Sequence, residues 1–149
     1  MILTKFAESI GKGLFAGAFG TVAMTISSTA EMKLRGRQAS TAPSDAAGKV
    51  LGVESRDPVG KERFSTAVHY GYGTAWGGFR GAIAAVGLSG PAATAVHFGA
   101  VWSSELVVLP ALKVAPPVTE WGLKEVGVDV FHHLVYALTT GVVYEYLDS

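Results

Sequence analysis

The chain has no cysteine, little charge and no excess of either charge sign. Of its 149 residues, 16% are charged, whereas soluble domains usually reach roughly 25%. The absence of cysteine excludes disulfides, thiolate metal ligands and cysteine nucleophiles. The 12 basic residues balance the 12 acidic ones. Because no basic run is interleaved with aromatic residues either, the sequence excludes a nucleic-acid partner.

What the sequence does contain is four long apolar runs, which we call spans 1 to 4: residues 13–30, 65–88, 91–110 and 128–146. About 20 apolar residues in a helix cover the roughly 30 Å of hydrocarbon in a bilayer. Span 1 carries no charge, and spans 2 and 3 carry one each, at Arg80 and Glu105. The pattern predicts an all-α, four-helix transmembrane bundle in which residues 1–149 form a single integral membrane domain.

The connections between the spans carry local signals of their own. The segment from Gly87 to Pro91 combines a glycine stop with a proline start, which predicts a tight antiparallel hairpin between spans 2 and 3. Residues 119–126, with Trp121 as an interfacial anchor, predict a short amphipathic helix before span 4. Residues 44–53 predict another short helix at the membrane interface.

The distribution of basic residues predicts how the bundle is oriented. The loops between spans 1 and 2 and between spans 3 and 4 together carry nine Lys or Arg, whereas the opposite side carries only Lys5 and Lys12. By the positive-inside rule, both long loops face the cytoplasm. The two lysines and the apolar run after them also imitate a secretory signal, but we expect span 1 to be retained as a membrane helix.

Each span carries small residues at a spacing of about four. In lipid, helices associate through close backbone contact, because no hydrophobic force drives them together. The stripes therefore predict a compact bundle, and the alternative is that one stripe faces outward and docks another subunit. The glycines of these stripes are Gly13 and Gly17 in span 1, Gly73, Gly77 and Gly81 in span 2, Gly99 in span 3 and Gly141 in span 4.

Ionisable side chains inside the spans fall at two depths. Counting from the long-loop side, one level lies about five residues, or roughly 8 Å, inside each helix. A second level, toward the hairpin, holds Arg80 and His97, and a buried arginine needs a partner. Because Glu145 lies at the far end of span 4, a chloride, a lipid phosphate or backbone carbonyls are alternative partners. The members of the first level are His69, Glu105, Asp129, His132 and His133, with Asp129 one turn nearer the surface than the others.

Three interpretations of the first level stay open. It can be a hydrogen-bonded network that fixes helix register, or a proton relay, since imidazoles and carboxylates inside a membrane are candidates for proton transfer. It can also bind Zn or Fe through His69, Glu105, Asp129 and His132, or hold haem between two facing histidines. No cofactor follows from the sequence alone, and no nucleophile elbow or triad context predicts an enzyme.

Several short motifs resemble those of a known family. They are Gly13-x-x-x-Gly17, His69-Tyr70-Gly71, Trp102-x-x-Glu105, Leu109-Pro110, Pro116-Pro117 and His132-His133-Leu-Val-Tyr136. In these motifs the chain is similar to the YagU-like family of small bacterial inner membrane proteins, which is defined by a domain of unknown function. The resemblance implies a multi-pass protein of the bacterial cytoplasmic membrane without an assigned reaction. It also places Glu105 and His132 or His133 on polar family positions.

Together these patterns predict a small, non-enzymatic, multi-pass membrane protein surrounded by membrane lipids. We expect it to pack laterally as a homo-oligomer or as an accessory subunit of other membrane proteins, and an outward-facing stripe of small residues favours this hypothesis. One alternative is a proton-linked channel or transporter, which water-filled access to Glu105 favours. Another is a metal- or haem-binding bundle, which metal analysis and a visible spectrum test.

Overall fold

The computed structural model describes residues 2–53 and 57–149, and within these ranges the chain is helical without a strand. The predicted all-α class is confirmed. The helices are α1 (Ile2–Arg35), α2 (Ala42–Leu51), α3 (Pro58–Ala85), α4 (Gly90–Ala111) and α5 (Leu123–Asp148), with a single 3₁₀ turn at Val118–Glu120.

Local sequence signals set where α3 and α4 begin and end. Asp57 caps α3, because its carboxylate accepts a hydrogen bond of 2.8 Å from the Gly60 N–H. The predicted hairpin turn is present between α3 and α4, and it uses glycine at two left-handed positions: φ is 94° at Gly87 and 61° at Gly90. Only a few residues separate the two helices, so they run in opposite directions.

Each of the four predicted spans lies in a long helix, but the helices are not equally apolar. Within the described residues, α1, α4 and α5 are long and apolar enough to cross a membrane, and α3 is not among them. The 28 residues of α3 include four charged side chains and six glycines, which lower its hydropathy. The structure therefore supports three spans by length and composition, and α3 also ends three residues earlier than predicted, at Ala85.

The short segments between the long helices differ in part from expectation. Residues 44–53 fall largely within α2, as predicted. Residues 119–126 do not form one separate helix, because Gly122 is extended, with φ −69° and ψ 152°, and the residues after it already belong to α5. The Trp121 indole N–H instead donates to the Pro116 carbonyl at 2.9 Å, a local bond within the connection between α4 and α5.

Helix α1 lies at the centre of the packing, against α3 and α5, while α4 packs mainly against α5. The glycine stripes of α1 and α3 face each other: a Cβ added to Gly17 would lie 2.6 Å from the Gly77 Cα. Such an approach is possible only between glycines, since any side chain would separate the backbones. In α5, Gly141 faces the Thr94 side chain of α4. Gly99 is different, because among the described residues nothing lies within 4 Å of its Cβ position.

The outside of the bundle is apolar and much of its interior is polar. Over the described residues, 25 large hydrophobic side chains are exposed, whereas the buried hydrophobic core has nine members, four of them alanine. Val142 and Val107 are 70% and 68% exposed, while Arg80, His97 and Thr140 are 0% exposed. Soluble monomers rarely expose apolar patches of this extent. Such a surface is suited to contact with lipid.

Candidate functional site

Three side chains from the predicted first level converge between α4 and α5. We call Glu105, Asp129 and His133 the acid–histidine cluster. Asp129 and His133 are four residues apart on α5 and therefore share one face of the helix, and Glu105 reaches them from α4. The Nε2 atom of His133 lies 2.8 Å from Oε2 of Glu105, and its Nδ1 atom lies 3.5 Å from Oδ2 of Asp129.

Two further hydrogen bonds orient the cluster. The Trp102 indole N–H donates to Oδ2 of Asp129 at 2.9 Å, and Trp102 is one turn before Glu105, so both face α5. The Nδ1 atom of His133 lies 3.0 Å from the main-chain oxygen of Asp129. Because a carbonyl oxygen only accepts, this nitrogen holds a proton, and Nε2 is left to interact with Glu105.

The cluster is shielded without being closed off. The side chains of Glu105, Asp129 and His133 are 21%, 24% and 11% exposed. One imidazole nitrogen and two carboxylate oxygens lie within 4.8 Å of one another. Chemically, this arrangement can share a proton between His133 and Glu105, or it can surround a divalent cation.

His132 belongs to a separate network on the side of α1. Its Nδ1 atom lies 2.9 Å from the Ser27 hydroxyl, which itself donates to the Met24 carbonyl and so accepts from the imidazole. The Nε2 atom of His132 lies 3.8 Å from Glu31. Adjacent residues of a helix point about 100° apart, which is why His132 and His133 face different neighbours.

Beyond Ser27, this α1 network continues toward the long-loop end as a chain of ion pairs. Glu31 accepts hydrogen bonds from the guanidinium groups of Arg35 and Arg37 at 2.8–3.0 Å. Arg35 also pairs with Glu125 at the start of α5. These contacts join the ends of α1 and α5 and place His132 beside charged groups.

His69 also lies apart from the acid–histidine cluster. Its Nε2 atom is 2.9 Å from the Thr25 hydroxyl of α1, and that hydroxyl donates to the Thr21 carbonyl, so it accepts from His69. Of the five side chains predicted at the first level, the structure thus brings Glu105, Asp129 and His133 together. It places His132 and His69 at two other contacts with α1.

In the second predicted level, Arg80 and His97 have different partners. Nη2 of Arg80 donates to Oε1 of Glu145 at 2.5 Å, and the guanidinium lies 4.4 Å above the centre of the Tyr144 ring. Glu145 therefore does reach Arg80, although it lies at the far end of α5. His97 is bound by the main-chain oxygen of Trp76, 2.9 Å from its Nε2 atom.

A polar stripe along α5, buried over most of its length, was not predicted as a whole. It consists of residues spaced by three or four, a periodicity that could have indicated one inward face. The Tyr136 hydroxyl donates to the Gly73 carbonyl at 2.6 Å. The Thr140 and Tyr144 hydroxyls are buried without a hydrogen-bond partner among the described residues. The members of this α5 polar stripe are Asp129, His133, Tyr136, Thr140 and Tyr144.

No family model, curated protein or solved structure matches the chain. The resemblance to the YagU-like family stays a prediction. The fold assigns the chain to a broad class, that of all-helical proteins. Over the described residues, three of its helices are long and apolar enough to cross a membrane.

Proposed function

We propose that the chain is a multi-pass protein of the bacterial cytoplasmic membrane in which α1, α3, α4 and α5 all cross the bilayer, with the long loops on the cytoplasmic side. The observation that carries this proposal is the reversed polarity of the bundle. Arg80 and His97 are fully buried, whereas Val107 and Val142 are largely exposed. In water this arrangement would expose apolar surface, but in lipid it keeps polar groups inside the bundle and places apolar groups against hydrocarbon.

The contacts of α3 support its place as the fourth span. It packs along α1 through Gly73, Gly77 and Gly81, and it is joined to α4 by a short turn. A helix held between two spans in this way covers the same depth of membrane. Its low hydropathy is explained in part by Arg80, whose side chain is 0% exposed and so does not meet lipid.

The outer face of α4 supports lateral association with a second copy of the chain. Its exposed small residues line up at three- and four-residue spacing, and the space in front of Gly99 is open among the described residues. Close helix approach in membranes uses faces of this kind. The exposed small residues are Ala92, Ala95, Gly99 and Ser103.

A disulfide experiment tests this association. Because the chain has no cysteine of its own, any disulfide must involve the introduced residue. The variant Gly99→Cys is expected to form a covalent dimer when native membranes are mildly oxidised. The matched control is Val142→Cys, an exposed site at 70% on α5. Equal cross-linking of the two variants, or none in Gly99→Cys, contradicts self-association through α4. A covalent adduct of another size would instead identify a different partner on this face.

The α5 polar stripe favours a second candidate function, proton movement across the membrane. The stripe extends about 22 Å from Asp129 to Tyr144, at 1.5 Å per residue. At one end Glu105 is 21% exposed, and at the other Glu145 is 43% exposed. Between them, the unpartnered hydroxyls of Thr140 and Tyr144 offer sites for bridging water.

Proteoliposomes test the second candidate directly. Vesicles containing the protein are expected to dissipate an imposed pH gradient faster than empty vesicles, as followed with an entrapped pH-sensitive dye. Thr140→Val interrupts the stripe at its buried middle and is expected to remove this difference. Ser103→Ala, on the exposed face of α4, serves as the control. Equal proton flux in the Thr140→Val and unmodified proteins contradicts a path along α5.

A further inference from the structure

We infer that the acid–histidine cluster is a binding site for a divalent transition-metal ion, with Zn²⁺ as its best probe, held by His133, Glu105 and Asp129. This set differs from the one that the sequence suggests, because His69 and His132 are bound to hydroxyls of α1. The inference does not depend on lateral association or on proton movement. It depends on the convergence of three ligand atoms within 4.8 Å of one another.

The spacing of these atoms suits an ion with only small side-chain rotations. Zn²⁺ binds nitrogen and carboxylate oxygen at about 2.0–2.2 Å in tetrahedral geometry, which places ligand atoms roughly 3.4 Å apart. The Nε2 atom of His133 lies 2.8 Å from Oε2 of Glu105, and one ligand atom from each of the three residues lies within 4.8 Å of the other two, a range that includes that value. Backbone movement is not needed, because two ligands share one face of α5 and the third faces them from α4.

The surroundings of the three ligands are those of a metal site. A metal-binding histidine usually donates its second ring N–H to a carbonyl or carboxylate. His133 does so, with Nδ1 at 3.0 Å from the Asp129 main-chain oxygen. The ligating carboxylates are usually hydrogen-bonded as well. Trp102 supplies that bond to Asp129 at 2.9 Å.

The donor set also indicates which metal ions the site suits. One imidazole with two carboxylates, and no thiolate, suits Zn²⁺, Fe²⁺ or Mn²⁺ and disfavours Cu⁺. Two carboxylates beside one imidazole at a membrane-embedded level attract a dication, whose charge they balance. Three protein ligands leave a coordination position for water or a small ligand, and the partial exposure of Glu105 and Asp129 gives access to it.

Titration calorimetry on the full chain tests the site. The protein carries no polyhistidine tag, is stripped with a chelator, and is titrated in detergent with Zn²⁺ and, separately, with Mg²⁺. We expect one saturable Zn²⁺ site per chain and at least tenfold weaker binding of Mg²⁺. Co²⁺ is expected to give visible absorption bands typical of low coordination number.

Variants identify the ligands. His133→Gln and Glu105→Gln are each expected to weaken Zn²⁺ binding at least tenfold. His132→Gln, one residue away on the same helix but facing α1, is the matched control and is expected to change the affinity less than twofold. Trp102→Phe keeps all three ligands and is expected to weaken binding by removing the hydrogen bond to Asp129.

Circular dichroism confirms that each variant keeps its helices before binding is compared. Absence of saturable Zn²⁺ binding to the unmodified chain overturns the inference. It is also overturned if His132→Gln or His69→Gln weakens binding as much as His133→Gln does. Neither result bears on the cross-linking of Gly99→Cys, so the two proposals fail separately.

Discussion

Arg80 is the largest fully buried side chain among the described residues, and its contacts explain how an arginine is tolerated there. Glu145 accepts from its Nη2 atom at 2.5 Å and also accepts from the Gly90 N–H at 2.7 Å. The Tyr144 ring covers the guanidinium. One carboxylate thus neutralises the buried charge and links α5 to the start of α4.

The variant Glu145→Gln is expected to destabilise the protein by about 2 kcal/mol, because Arg80 stays buried without a counter-charge. Removing one partner of a fully buried pair costs roughly 3–5 kcal/mol, and the loss is smaller here because the Glu145 side chain is 43% exposed. Equilibrium unfolding in detergent measures the change. Glu8→Gln, which breaks the solvent-accessible pair with Lys12, is the control and is expected to cost much less, because such surface ion pairs contribute little to stability. Equal losses of unfolding free energy in both variants would contradict the claim that Glu145 stabilises the buried charge of Arg80.

Among the helix contacts, the one between α1 and α3 leaves the least space for an added side chain. Cβ atoms added to Gly13 and Gly17 would overlap the backbone of Gly77 or Gly81. The bundle therefore depends on two bare backbone surfaces meeting. The same spacing of small residues on α4 leaves Gly99 open, so one sequence pattern serves both an internal contact and an outer face.

The variant Gly77→Ala is expected to destabilise the bundle by about 1–3 kcal/mol, since overpacking forces α1 and α3 apart. Gly71→Ala on the same helix is the matched control, because among the described residues nothing lies within 4 Å of its Cβ position. It is expected to leave the unfolding free energy unchanged or slightly raised, as alanine favours helix over glycine. Unfolding of both variants in detergent measures the difference. A loss as large in Gly71→Ala as in Gly77→Ala would contradict overpacking between α1 and α3 as the cause, because helix propensity favours alanine at both positions.

The sequence predicted the long helices and the hairpin, because apolar length and the glycines at Gly87 and Gly90 are local signals. It also placed Glu105 and His133 at one depth, with Asp129 one turn nearer the surface. It could not predict that His133, and not His132, turns toward Glu105, because that depends on how α5 is rotated against its neighbours. The pairing of Arg80 with Glu145 was not predicted, for a different reason: Glu145 lies at the far end of span 4, and the difference in depth is spanned by two long side chains.

For the whole molecule, the account depends on lipid as the surrounding medium. The nine buried hydrophobic residues, four of them alanine, form a small core for a soluble domain. Small-residue contacts, buried hydrogen bonds and the Arg80–Glu145 pair hold the helices together instead. The same polarity explains why histidines and carboxylates are gathered between helices, where they can bind a proton or an ion.

The crossing of α3 is the part of this account that composition supports least, since α3 is not among the three helices apolar enough to cross. Ala39, before α2, and Ser89, just after α3, are both exposed, and Ser89 makes no side-chain cap hydrogen bond. Single cysteines at these positions report the two sides of α3 in a chain without other cysteine. Val142→Cys, six residues before the end of α5 and 70% exposed, is the control that lipid should protect.

The decisive measurement is labelling of these single-cysteine variants by a membrane-impermeant maleimide, in intact spheroplasts and after lysis. The account predicts that Ser89→Cys is labelled in intact spheroplasts, that Ala39→Cys is labelled only after lysis, and that Val142→Cys is protected in both. Labelling of Ala39→Cys and Ser89→Cys from the same side, or ready labelling of Val142→Cys, would contradict a bundle in which α3 crosses the membrane with α1, α4 and α5.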